Sequence, residues 1–283
     1  MLNFPKIIGI VIVVLTTALV GVYGYFHFST GGTEENQEEK ETQVWWIASD
    51  PHIGLNEANP FDAIGVAIED VNNLGIADYA IQLGDVINET MAYRENFFQL
   101  MDSLEVENWY YILGNHDFLN PPSDENLLPP IDMTLDVMGM KWILISDHMG
   151  DPRGTMPENL QGWFVDQIIF SDKPVFVFAH QPPSQWLVWN ELGGLVKGSK
   201  LRAWIYGHVH RWSASWYEDQ LLIFSDSSLD WANNYKGVFM YLERKGNIVN
   251  VTLRFRDHKN RMWVTTPLEG KYVENISFSV EVA

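Results

Sequence analysis

Five short polar segments of the sequence could do chemistry, and each begins where an apolar run ends. The segments are Asp50-Pro51-His52, Gly84-Asp85, Gly114-Asn115-His116-Asp117, His180 and Gly207-His208-Val209-His210. They hold five of the eight histidines of the chain, together with carboxylates and an amide. These groups bind transition metals when a fold gathers them on fixed geometry. A single such segment is as well explained by a hydrogen-bonded structural residue, so only their combination predicts a metal centre.

The apolar runs before these segments have the composition of buried strands, because they are rich in aromatic and branched residues and end at turn residues. The runs cover residues 44–49, 79–83, 109–113, 175–179 and 203–206. In open α/β sheets, ligands bind beyond the carboxyl ends of the strands. The five polar segments are therefore expected to converge.

The sequence between and after these strands predicts the helices and further strands that pack against them. Apolar residues recur at helical spacing in residues 61–71, 97–104 and 160–168, and Asn59-Pro60 has the pattern of an N-cap followed by the first helical residue. A hairpin is expected around Met138-Gly139-Met140. Further strands are expected at 220–224, 237–243 and 248–255. We therefore predict an α/β fold, a two-sheet αββα sandwich with the helices outside.

The N-terminal region has a different character. Residues 7–28 lack Asp, Glu, Lys and Arg over 22 positions, which is long enough to cross a bilayer as one helix. Lys6 precedes this run and glutamates follow it, so the positive-inside rule predicts a cytoplasmic tail at 1–6 and a single-pass cell-membrane protein with the rest of the chain outside. The alternative is a cleaved signal peptide and a secreted protein, although the run is long for one.

Residues 29–43 contain no apolar side chain and predict a disordered acidic linker, which leaves residues 44–283 as the folded domain. The chain has 18 basic and 37 acidic residues and a formal charge of −19, so no nucleic-acid partner is expected. It has no cysteine, which excludes thiol catalysis, cysteine-ligated zinc and disulfides.

The order D-x-H, G-D, G-N-H-D, a lone H and G-H-x-H resembles the calcineurin-like metallophosphoesterases, over residues 44–255. The resemblance implies two metal sites that share one carboxylate. It assigns the first ion to Asp50, His52, Asp85 and His210. It assigns the second to Asp85, Asn115, His180 and His208. The ions would be divalent or trivalent, of the Mn, Fe, Zn or Co class, and a hydroxide between them would attack a phosphoester.

The same resemblance gives roles to the two residues that follow Asn115. His116 would stabilise charge and protonate the leaving oxygen, and Asp117 would orient His116. A turn cap is the alternative for Asp117. Purple acid phosphatases of this superfamily have glycine and tyrosine where this chain has His52 and Asn88, so a tyrosinate–iron site is not expected.

These features predict a membrane-anchored, extracytoplasmic two-metal phosphoesterase that hydrolyses a small phosphate mono- or diester. One alternative is a hydrolase of phospholipid head groups or lipid-linked phosphates, for which Trp186 and Trp189 would supply an apolar groove. Another is a catalytically silent binding or scaffold protein of the same fold, although no ligand of the motif is missing. The substrate, the metals and the oligomeric state stay open.

Overall fold

The computed structural model describes residues 42–55, 61–88, 90–118, 128–148, 156–186, 189–225, 229, 238–257, 262–264 and 276–279. The chain divides into compact units at 1–40 and 41–283, and all described residues lie in the second. The expected anchor at 7–28 and most of the expected linker therefore lie outside the described residues. Within the described ranges, no helix is long and apolar enough to span a membrane.

The domain is built of strands alternating with helices. In chain order the strands are β1 (Thr42–Ala48), β2 (Tyr79–Leu83), β3 (Asn108–Ile112), β4 (Asp132–Val137), β5 (Met140–Ile145), β6 (Val175–Ala179), β7 (Leu201–Tyr206), β8 (Ser213–Tyr217), β9 (Leu221–Ser225), β10 (Val238–Lys245), β11 (Ile248–Asp257), β12 (Met262–Val264) and β13 (Ile276–Ser279). The helices are α1 (Asp62–Leu74), α2 (Arg94–Asp102), α3 (Glu158–Ile169), α4 (Pro183–Trp186) and α5 (Trp189–Gly198).

The strands form two mixed sheets. The first has the order β12-β11-β10-β1-β2-β3, with β13 also paired to β11, and β1, β2 and β3 run parallel. The second has the order β4-β5-β6-β7-β9-β8, in which β5, β6, β7 and β9 run parallel between two antiparallel edge strands. In each sheet the carboxyl ends of the parallel strands therefore meet at one edge.

Three apolar clusters divide the domain into four layers. One cluster joins alternate residues of both sheets and includes Trp45 of β1 and Trp142 of β5, whose rings meet edge to face at 4.7 Å. A second packs the first sheet against α1 and residues of α2. The third packs the second sheet against α3 and α5. Each fully buried large side chain contributes roughly 1.5–3 kcal/mol. The predicted sandwich with outer helices is confirmed.

Most predicted elements are present, with some shifted ends. The bounds of β2 and β6 are those predicted, and the β4–β5 hairpin turns at Met138 and Gly139, which both have positive φ. One expectation is wrong: β1 begins at Thr42, because its first residues pair with β10, so the linker cannot extend to residue 43. α1 begins at Asp62, after Phe61, and the expected cap at Asn59-Pro60 lies outside the described residues.

Candidate metal centre

The first two polar segments are held together by a continuation of strand pairing. Beyond the ends of β1 and β2, the backbone N–H of Asp50 donates to Gly84 O at 3.0 Å, and that of His52 donates to Asp85 O at 3.1 Å. Parallel pairing thus continues to the residues that bear the functional groups. The sequence folds this way because the buried apolar strands fix the register of the turns that follow them.

Five of the predicted ligands adopt a backbone conformation that side chains other than glycine seldom take. Asp50, His52, Asp85, His208 and His210 have φ between 44° and 65°. A left-handed residue costs of order 1–3 kcal/mol and persists only where the surrounding fold imposes it. Strain of this kind concentrates at functional sites, and here it falls on residues predicted to bind metal.

The glycines of the motifs are required by close approach of neighbouring segments. A Cβ on Gly114 would lie 2.5 Å from the backbone N of Asp85 and 2.7 Å from Nε2 of His180. A Cβ on Gly207 would lie 2.7 Å from Oδ2 of Asp50. The glycines therefore let segments from both sheets come together without a side chain between them.

The first group of potential ligands is Asp50, His52, Asp85 and His210, whose ligand atoms all lie within 4.8 Å of one another. Nε2 of His210 lies 2.9 Å from Oδ1 of Asp50 and 3.2 Å from Nε2 of His52. Nε2 of His52 is 3.9 Å from Oδ2 of Asp85. Asp50, His52 and Asp85 are buried, and His210 is partly exposed.

The second group is Asp85, His180 and His208, again with ligand atoms within 4.8 Å of one another. Nδ1 of His180 lies 2.7 Å from Leu83 O and therefore carries a proton, and Nε2 faces Oδ2 of Asp85 at 3.1 Å. A carbonyl that fixes the ring in this way is the usual support of a metal-binding histidine. Oδ1 of Asn115 is buried with no hydrogen-bond partner among the described residues, as expected of a ligand oxygen.

The side chains of this second group of ligands shift one another's pKa values. Burial alone would lower the pKa of His180, but the Asp85 carboxylate overcomes this and raises it to about 10. Burial, aided by the charge of His180, lowers the pKa of His208 to about 4. The nearby histidines hold the pKa of Asp85 well below its usual range although burial opposes this. The carboxylate of Asp85 is therefore ionised, as metal binding requires.

His116 and Asp117 lie beside the shared carboxylate. The backbone N–H of His116 donates to Oδ1 of Asp85 at 2.7 Å, and the ring of His116 meets that of His52 edge to face at 4.9 Å. The carboxylate of Asp117 accepts from the backbone N–H groups of Gly114 and Ile87, each at 2.8 Å. Both oxygens of Asp117 thus hold the backbone, which favours the turn cap. Its orienting role towards His116 stays a prediction.

The structure also brings in polar residues that the sequence did not single out. Ser49 donates to the carboxylate of Asp50, and the buried side chains of Asp147 and Gln181 hydrogen-bond at 2.6 Å. The signal for Asp147 was present, because the apolar residues 142–145 are followed by Ser146 and Asp147, as the other apolar runs are followed by ligands. The side chains of Trp186 and Trp189 lie outside the described residues.

All seven predicted ligands thus lie at the carboxyl ends of β1, β2, β3, β6 and β7, and Asp85 belongs to both groups. Imidazole, carboxylate and amide donors of this kind suit borderline ions such as Zn, Mn, Fe and Co. The donor set, the tautomer of His180 and the buried acceptor of Asn115 fit a pair of such ions.

Comparisons with known proteins agree with this geometry. Residues 45–212, more than half of the chain, match the sequence profile of the calcineurin-like phosphoesterase family. No curated protein sequence matches the chain. A dimetal phosphatase from Danio rerio has a similar structure, with a TM-score of 0.61 at 13% identity over 84% of this chain and 99% of that one.

A purple acid phosphatase from yellow lupin (Lupinus luteus) seeds is also similar, with a TM-score of 0.58 at 11% identity over 84% of this chain and 54% of that one. At these identities the structural likeness shows the fold alone, and this chain spans about half the length of the lupin enzyme. The sequence match and the grouped ligands carry the assignment further. The chain belongs to the calcineurin-like phosphoesterase family and is a metal-dependent hydrolase of phosphoric esters.

Proposed function

We propose that the chain is a membrane-anchored, extracytoplasmic phosphoesterase that uses two divalent or trivalent ions to hydrolyse a small phosphate mono- or diester. The observation that carries the two-ion proposal is the membership of Asp85 in both ligand groups. A carboxylate shared between two cations lowers their mutual repulsion, which is strong at short distance in a buried site.

The residues of the site have separate roles in the proposed reaction. Two ions, when bound, supply an activated water and neutralise the negative charge of the phosphate. Asp85 and His180 hold the centre of the site, since Leu83 O fixes the ring of His180 and leaves Nε2 facing the carboxylate. His116, placed by its backbone bond to Asp85, holds a proton at its imidazole for the leaving oxygen.

Charge supports the choice of a small substrate. The chain carries a formal charge of −19, which opposes the approach of a polyanion such as nucleic acid. Positive potential then comes from the metal centre itself, which suits one phosphate group at a time. The uncharged run at residues 7–28 supports the anchor and the extracytoplasmic placement.

A metal-reconstitution assay tests the hydrolase. Full-length protein is stripped with a chelator, reloaded with Mn²⁺, Zn²⁺, Co²⁺ or Fe²⁺, and assayed on a panel of phosphate mono- and diesters. We expect no turnover after stripping and recovery at two bound equivalents. Turnover that peaks at one equivalent would contradict the two-ion proposal. Full loading without turnover of any ester would favour the silent scaffold.

A separate experiment tests the anchor and the nature of the substrate. The full chain and a chain starting at residue 41 are compared for membrane association and for protease access from outside the cell. We expect only the full chain to be membrane-bound, and we expect protease added outside the cell to cleave its folded domain. Both chains should hydrolyse the same soluble ester. Hydrolysis restricted to phospholipid or lipid-linked phosphate in vesicles would favour the lipid alternative.

A further inference from the structure

The strand β5 ends beside the metal centre and contacts the segment that carries Asn115. The backbone N–H of Asp147 donates to Leu113 O at 2.9 Å, and the backbone N–H of Leu113 donates to Oγ of Ser146 at 3.1 Å. Both backbone groups of Leu113 are thus bound by the residues that follow β5. Because β3 is an edge strand of the first sheet, this contact ties its end to the second sheet.

The side chain of Asp147 connects the same point to the segment that carries His180. Its Oδ2 accepts from Nε2 of Gln181 at 2.6 Å, and neither residue is exposed to solvent. Gln181 O in turn accepts from Nε1 of Trp204 at 3.2 Å, which fixes Gln181 against β7. A short hydrogen bond to a carboxylate away from water is among the stronger polar contacts in proteins.

Asp147 therefore contacts the chain close to two of the predicted ligands, just before Asn115 and just after His180. Leu113 lies two residues before Asn115, and Gln181 directly follows His180. Both ligands belong to the second ion in the proposed division.

We infer that Asp147 is a positioning residue for the second ion, and that its hydrogen bond to Gln181 fixes the separation of Asn115 and His180. This inference rests on the proposed two-ion function. Outer hydrogen-bond partners of metal ligands typically contribute about 10–100-fold to metal affinity. Loss of the bond should therefore weaken the second ion selectively and leave the first in place.

The test is a calorimetric titration of metal-free full-length protein with Mn²⁺, carried out on the unsubstituted protein and on four variants. Asp147→Ala removes the acceptor, and Gln181→Met removes the donor at similar volume. Asp147→Asn keeps an oxygen that can accept from Gln181. Asp136→Ala is the matched control, because Asp136 lies on β4 of the same sheet with a side chain 63% exposed.

We expect Asp147→Ala and Gln181→Met to weaken one of the two binding steps by about 10–100-fold and to leave the other unchanged. Asp147→Asn should keep most of that affinity, and Asp136→Ala all of it. Ester hydrolysis by both weakened variants should recover at high Mn²⁺, which a general loss of structure would not allow.

Equal weakening of both steps would overturn the inference, as would unchanged binding in Gln181→Met. A loss in Asp147→Asn as large as in Asp147→Ala would also overturn it, because the charge and not the hydrogen bond would then matter. If Asp147→Ala does not fold, Gln181→Met decides. A single step in the unsubstituted protein would instead contradict the two-ion function, before any variant is compared.

Discussion

The backbone N–H of His116 donates to Oδ1 of Asp85 at 2.7 Å, while the other oxygen of that carboxylate faces Nε2 of His180 at 3.1 Å. One buried carboxylate thus touches both ligand groups and also sets the position of the proposed proton donor. A change at Asp85 should therefore disturb metal binding and chemistry together, whereas a change in the His116 side chain should disturb chemistry alone.

Replacement of Asp85 by asparagine should damage the site more than the same replacement at Asp50. Asp50 belongs to one ligand group and Asp85 to both, so Asp85→Asn removes negative charge shared by two cations. We expect Asp85→Asn to hold fewer than two metal equivalents and to lose on the order of 10²-fold or more in turnover. Elemental analysis of the purified variants measures the equivalents.

Asp136→Asn, on the exposed side of β4, serves as the control for that comparison and should keep both ions. Two full equivalents in Asp85→Asn would contradict the bridging assignment. A larger metal loss in Asp50→Asn than in Asp85→Asn would contradict it as well.

Metal binding should release protons at neutral pH. In the metal-free protein the pKa of His180 is raised to about 10, so its ring is protonated at pH 7, whereas the pKa of His208 is lowered to about 4 and its ring is neutral. An ion that binds Nε2 of His180 must displace that proton, so metal affinity should rise with pH up to about 10. Calorimetry in buffers of different protonation enthalpy counts the protons.

The same ionisation predicts the pH dependence of stability. A histidine whose folded pKa exceeds its unfolded value of about 6.5 stabilises the fold fully below that value, and the stabilisation is lost as pH rises through the folded pKa. Metal-free protein should therefore melt at a lower temperature as pH is raised from 6.5 towards 10, and metal-loaded protein should show a weaker change. The same change of melting temperature with pH in both forms would contradict the predicted protonation of His180, as would the absence of proton release on metal binding at pH 7.

Gly114→Ala should disrupt the metal centre by steric conflict. The added Cβ would lie 2.5 Å from the backbone N of Asp85, so the backbone itself must shift at the shared ligand. We expect a stability loss of about 1–3 kcal/mol together with reduced metal content. Thermal melting and elemental analysis measure the two effects.

Gly162→Ala is the matched control, because nothing lies within 4 Å of its added Cβ in the middle of α3. It should keep both ions and gain up to about 1 kcal/mol from helix propensity. Normal metal content in Gly114→Ala would contradict this prediction, because the segments that carry Gly114 and Asp85 would then tolerate separation.

The positions of the candidate ligands in the fold could be predicted because strand composition and the turn that ends a strand are local properties. The ends of β2 and β6 lie where the apolar residues stop, so Asp85 and His180 could be placed in advance. The polar edge strand β8 was missed, since most of its residues are exposed and carry no core pattern. Contacts between distant segments, such as Asp147 with Gln181, depend on the packing of two sheets and cannot be found from spacing.

The partners of Asp117 show the same limit. Its position beside His116 in the sequence favoured a role on that ring, yet its carboxylate is directed to backbone N–H groups, including that of Ile87, which lies 30 residues away along the chain. Backbone donors near a turn are invisible in a sequence pattern. The effect of Asp117 on chemistry would then pass through the position of the segment that holds Asn115 and His116.

His116→Ala separates chemistry from metal binding. The resemblance gives His116 no metal, and the contact of His116 with Asp85 uses its backbone N–H, which alanine retains. The variant should therefore keep both ions and lose about 10²–10⁴-fold in turnover of an alkyl phosphoester, the usual contribution of a positioned general acid. The loss should be much smaller for a nitrophenyl ester, because that leaving group departs with little need of a proton.

The comparison of the two esters distinguishes proton donation from simple packing or charge stabilisation. If His116 only packs beside His52, whose ring lies 4.9 Å away, its removal should lower both rates equally or release an ion. Turnover of the two esters is measured together with metal content, and His148→Ala controls for loss of a histidine that pairs with Asp132 instead. Equal rate losses with both ions retained would refute the general-acid role, because a proton donor must matter most where the leaving oxygen is most basic.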